Sequence, residues 1–288
     1  MDTTELLKKV RKIEIKTRGL SNQIFAGEYH SAFKGKGMTF SEVREYQYGD
    51  PIKGIDWNVT ARFNHPFVKI FEEEREMTVM LLVDVSASKM FGTHMQLKRD
   101  LITEVAAVLS FSAIANNDKI GVIFFSDQVE RYIPPQKGKK HILRIIRDLI
   151  EFTPEHKGTN ISEALRFYTN VIKKRSTGFI LSDFIDQDFN TALKIANNKH
   201  DVIALRVFDR HEKSLPDVGL IQGLDAETGQ KKWIDTSSKE VRNAYNNWWK
   251  KYTEELQTVF SKNGVDAIDL ETGRDYVRSL ITLFKHRS

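Results

Sequence analysis

From Met77 onward, short apolar runs alternate with longer stretches of helical period, and this alternation constrains the fold more than any other feature. Runs at Thr78–Asp84, Lys119–Phe125, Gly178–Leu181, Asp201–Val207 and Val265–Leu270 are short and nearly continuously apolar, as strands covered on both faces must be. Between and after them, Gln96–Ala115, His141–Phe152, Ile161–Lys173, Asn190–Asn197, Ser238–Phe260 and Arg274–Phe284 carry helical spacing. In the first of these, Leu97, Leu101, Val105, Val108 and Leu109 recur so that one side is expected to be core. The pattern predicts an α/β fold over residues 76–288: a doubly wound, mostly parallel sheet flanked by helices. A segment near 213–236, LPDVGLIQGLDAETGQKKWIDT, interrupts the alternation with short apolar runs around AETGQ and reads as an inserted hairpin. Residues 1–75 have a different texture. A short helix over Thr4–Lys12 is followed by Gly and aromatic residues without helical period, which predicts a small β-rich N-terminal segment.

In a doubly wound sheet, the loops at the carboxyl ends of the strands converge on one crevice, so chemistry is sought there. The first strand runs into DVSAS, which sets Asp84, Ser86 and Ser88 on alternate positions of the loop. KGTNISEAL places Thr159 just before a helix start marked by Asn160 and Ile161, and SDF places Asp183 directly after the strand at Phe179–Leu181. Two carboxylates and three hydroxyls from three loops match the hard oxygen donors that Mg²⁺ or Mn²⁺ prefers. Few direct negative charges leave such a cation electrophilic, with a position to be completed by an acidic group of a protein partner. The bland alternative is that Ser86, Ser88 and Thr159 only cap helices.

Other chemistries lack their signatures. With no cysteine, disulfides, zinc ribbons, iron–sulfur clusters and thiol catalysis are excluded. There is no G-x-x-x-x-G-K-[ST], no G-x-G-x-x-G opening a helix after the first strand, no G-x-S-x-G and no H-E-x-x-H. An aspartate-based phosphatase would carry a second acid where Ser86 stands, so a phosphatase-like, metal-dependent enzyme is the weaker alternative to a non-enzymatic module. Lys and Arg number 44 against 39 acids, a balance of +5 that suits an acidic partner and equally a solvated surface. The densest basic runs, at Lys137, Lys139 and Lys140 and at Lys173, Lys174 and Arg175, fall at loops or helix ends. Solvation there accounts for both runs, and near a helix C-terminus the dipole does so as well, so nucleic-acid binding is a second alternative rather than the expectation. No signal peptide or membrane-spanning run is evident, and a cytoplasmic location without a membrane span is expected.

By its DVSAS, GTN and SD segments together, the chain resembles the von Willebrand factor A domain with its metal-ion-dependent adhesion site. The resemblance implies metal ligation by Asp84, Ser86, Ser88, Thr159 and Asp183. Such domains often have T-D-G in the third loop, where this chain has Ser182, Asp183 and Phe184. GKGMTFSEVREYQYGDPIKGIDWNVTAR, residues 35–62, and VRSLITLFKHR near the C-terminus resemble the bacterial and archaeal family called domain of unknown function 58. That resemblance implies a von Willebrand A-like core serving a MoxR-type AAA+ ATPase or aerotolerance-operon proteins, with no defined catalytic activity. In the signature, Arg44, Tyr46, Tyr48, Asp50, Asp56, Trp57 and Arg62 are expected to form a packed polar network, with Trp57 in the core.

Overall fold

The computed structural model describes residues 11, 13, 14, 17, 39–72, 77–90, 92, 93, 96–186, 188–224 and 230–287. Two compact units emerge, Phe33–Met77 and the remainder of the chain. Most of the expected Thr4–Lys12 helix, and the AETG of the expected hairpin turn, lie outside the described residues.

In the smaller unit, β1 (Thr39–Glu45) and β2 (Phe67–Glu72) pair antiparallel around a short helix, α1 (Trp57–Phe63). Asp56 caps α1 by accepting from the Asn58 and Val59 N–H groups and pairs with Lys69 at 3.4 Å. Arg44 grips Asp50 through two bonds of 2.8 Å, and Asp50 also accepts the Gln47 N–H. The expected single network is not what forms: Arg44 and Asp50 pair with each other, Asp56 serves its own helix and Lys69, and Arg62 is exposed. Trp57 is 65% exposed and Tyr48 fully so, because a seven-residue helix on a two-stranded ribbon has little apolar surface to set against a ring.

In the larger unit, the strands of the central sheet are β3 (Thr78–Asp84), β6 (Lys119–Phe125), β7 (Val129–Gln136), β8 (Thr177–Ser182), β9 (Asp201–Phe208) and β12 (Asp266–Glu271). Their spatial order is β12-β9-β8-β3-β6-β7, and all pairings are parallel except that of β7. Counted along the chain this is the order 3-2-1-4-5-6 of doubly wound sheets, which reverses direction at β3. The fold is accordingly α/β and doubly wound, with two-stranded ribbons β4 (Gly92–Thr93) with β5 (Gln96–Leu97) and β10 (Leu220–Leu224) with β11 (Lys231–Asp235) outside the sheet. The second of these is the expected inserted hairpin.

The larger helices are α2 (Lys98–Ala115), α3 (Lys139–Glu151), α4 (Ile161–Val171), α5 (Asn190–Lys199), α7 (Lys239–Lys262) and α8 (Tyr276–Arg287), with a four-residue α6 (Arg210–Lys213) after β9. The amphipathic reading of α2 is corrected. From Leu101 to Ala113 its residues are buried on nearly all sides, and a helix apolar all round is a central one. In α7, Trp249 is buried at 9% exposure and Trp248 remains 47% exposed. Among the described residues no helix is long and apolar enough to cross a membrane.

Candidate metal centre

Sheet register creates the site. Val83 of β3 lies opposite Leu181 of β8, so Asp84 and Ser182 leave the sheet side by side. Ser182 Oγ donates to Asp84 Oδ2 at 2.5 Å, while Asp84 Oδ1 accepts the Ser86 N–H at 3.0 Å. The hydroxyls of Ser86 and Ser88 are 3.1 Å apart, and Ser88 Oγ donates to Asp183 Oδ2 at 3.0 Å. Asp84, Ser86 and Asp183 are each at most 2% exposed. Buried carboxylates of this kind are tolerated only when hydrogen-bonded, and both are.

The second loop is fastened to the other two. The Ala87 N–H donates to the Lys157 carbonyl at 3.1 Å, and the Ile161 N–H donates to Asp186 Oδ2 at 2.7 Å. Asn160 caps α4 by accepting the Glu163 N–H at 2.9 Å. Half-buried Thr159 stands between these fastenings. Of the five residues read from the sequence, Asp84, Ser86, Ser88 and Asp183 share one hydrogen-bonded network, and Thr159 is on the adjoining loop.

The departure from glycine in the third loop has a physical answer. Phe184 adopts φ 60°, the left-handed region that glycine favours, and its ring is fully buried, 5.1 Å from that of Phe260 in an edge-on contact. Its N–H donates to Ser182 Oγ at 3.0 Å, and its carbonyl accepts the Tyr252 hydroxyl. Packing holds a strained conformation that a glycine would adopt freely.

Sequence reasoning missed three residues here: Ser182 as a partner of Asp84, and the pair Lys98 and Glu212. Lys98, the first residue of α2, is fully buried. Its Nζ lies 3.0 Å from Asp183 Oδ2 and 2.6 Å from Glu212 Oε1 of α6. Glu212 is itself held, since its Oε2 accepts the Asp209 N–H at 2.8 Å in a capping box. One signal was available. A lysine in the first turn of a helix opposes the helix dipole, so its presence there asks for a compensating acid.

The donor chemistry fits a hard divalent cation. Among the described residues no group of three or more His, Asp or Glu side chains is arranged to hold a metal, so the serine and threonine hydroxyls would be needed beside Asp84 and Asp183. Lys98 opposes such a cation by charge alone.

An open sheet with acid and hydroxyl loops gathered at its carboxyl rim, at the switch point of strand order, defines a doubly wound α/β protein with a rim site. The chain belongs to the family described as protein of unknown function DUF58, whose model matches residues 42–255. It is 26% identical over 290 residues to the uncharacterized protein Rv1480 of Mycobacterium tuberculosis, covering 100% of this chain and 91% of that one. Identity to the uncharacterized protein YeaD of Bacillus subtilis is 28% over 109 residues, 38% of this chain and 25% of that one. Among solved structures, an aerotolerance-related membrane protein from Bacteroides fragilis matches with TM-score 0.50 and 14% identity, covering 73% of this chain and 99% of that one.

Proposed function

We propose that this protein is a divalent-metal-dependent protein interaction module in which Asp84, Ser86, Ser88, Thr159 and Asp183 hold Mg²⁺ or Mn²⁺. The carrying observation is the network that joins Asp84, Ser86, Ser88 and Asp183 across loops separated by about a hundred residues in the chain. When bound, the cation supplies an electrophilic position that a partner's Asp or Glu completes, making metal and partner binding one event. Asp84 and Asp183 neutralise part of its charge, and the serines orient without adding any. The family resemblance points to a MoxR-type AAA+ ATPase or an aerotolerance-operon protein as the partner served.

The test is retention of a purified MoxR-type ATPase on the immobilised protein, with Mg²⁺ and with excess chelator, for the native chain and Asp84→Ala. Retention should need both the metal and Asp84, while circular dichroism shows the variant folded. Full retention in chelator would sink the metal bridge. Release of phosphate from generic substrates, lost in Asp84→Ala, would favour an enzyme instead.

A further inference from the structure

The metal reading leaves Lys98 unexplained. Its ammonium is fully buried and contacts the same Asp183 oxygen that accepts Ser88 Oγ. Two features distinguish it from a structural ion pair at random. First, it is shared between a candidate ligand and an acid outside the candidate set, Glu212, at 3.0 and 2.6 Å. Second, Glu212 is anchored independently of it: Oε2 takes the Asp209 N–H at 2.8 Å, and the Tyr245 hydroxyl donates to its backbone carbonyl at 2.9 Å. Glu212 therefore offers the ammonium a fixed second seat.

Resting on the metal reading, we propose that Lys98 is a resident cation that competes with the divalent ion for Asp183, with Glu212 as the seat to which it retreats. Three consequences follow from charge. Without metal, Lys98 neutralises Asp183, so the loops stay assembled. With metal, repulsion at short range in a buried site weakens the affinity of the protein alone. A partner carboxylate adds a negative charge that offsets Lys98, so tight metal binding waits for the partner. Lys98 thus acts as a positioning and affinity-setting residue toward a partner bearing an exposed acid.

Mn²⁺ alone is the probe, titrated by calorimetry into the full chain and checked by paramagnetic water relaxation, with circular dichroism reporting folding. Lys98→Met should bind Mn²⁺ at least about tenfold more tightly than the native chain. Its melting temperature should fall in chelator and recover on adding Mn²⁺. Glu212→Gln, which keeps Lys98 and confines it to Asp183, should bind Mn²⁺ several-fold more weakly. These opposite signs are not expected of two purely structural substitutions. Equal or weaker binding by folded Lys98→Met, or unchanged binding by Glu212→Gln, overturns the competition while leaving the metal site standing. Should Lys98→Met fail to fold, Glu212→Gln decides alone. Absence of Mn²⁺ binding in all three proteins removes the metal reading, and the competition with it.

Discussion

Phe184 sets two residue-scale energies against each other. Its left-handed backbone costs about 1–2 kcal/mol relative to glycine. The fully buried ring contributes more, since deleting a core phenylalanine side chain typically costs about 3–5 kcal/mol. Phe184→Gly is therefore expected to destabilise the protein by about 1–4 kcal/mol in urea unfolding while the third loop keeps its path. A stabilised Phe184→Gly variant would show that backbone strain outweighs packing at this turn. Asp183, one residue before, keeps its position because both neighbours are fixed, Ser182 on Asp84 and Phe184 in the core.

Among elements, the start of α2 is where local rules and tertiary demand conflict. Lys98 and Arg99 place two cations in a first turn where the dipole favours acids, with only Asp100 in agreement. Both are used away from their own helix. Arg99 Nη2 donates to the carbonyls of Ile150 and Phe152, each at 2.7 Å, and so satisfies groups that α3 leaves open at its C-terminus. Burial lowers the affinity of this guanidinium for its proton, yet it remains far within the charged range. Arg99→Met should cost about 1.5–3 kcal/mol in global unfolding. The loss should appear first as faster amide exchange in the last turn of α3. Uniform protection there would show that other groups cap the helix. The fit of α4 on the sheet is equally specific: a Cβ on Gly178 of β8 would lie 2.8 Å from the Tyr168 ring. That close approach of helix and strand is the reason for the glycine.

For the molecule as a whole, burial of one histidine ties stability to pH. His200, at the end of α5, is fully buried, with Nδ1 3.0 Å from Ser176 Oγ and its ring 4.3 Å from that of Tyr168. Among the described residues no hydrogen-bond partner meets Nε2. Burial first, then the charges of Lys199 and Arg175, push its pKa down to about 4 from 6.5. Between those values the unfolded chain binds more protons than the folded one, so the contribution of His200 is complete above about pH 6.5 and is lost as pH falls toward 4. Urea midpoints should decline through that window, and His200→Phe should flatten the decline relative to the native chain. Parallel declines in the two proteins would assign the acid sensitivity elsewhere.

Much of this architecture could be read from the chain because strands buried on both faces leave long apolar runs, and β3, β6, β8, β9 and β12 all sit within a residue or so of their expected places. That Asp84, Ser86, Ser88 and Asp183 meet at one rim was legible as well, since strand ends in such a sheet face one crevice. Lys98 and Glu212 were not, because they are 114 positions apart and meet only in the fold, with Nζ 2.6 Å from Oε1. Nor was the exposure of Trp57, or the burial of α2 on nearly every side. Sequence alone determined the alternation, the fold class and the acids and hydroxyls at the strand ends, all of which follow from local periodicity and from which residues end each strand. Tertiary structure decided which charge meets which acid and which apolar face is covered. Those outcomes depend on strand register and helix placement between segments far apart in the chain, and no local pattern encodes such distances.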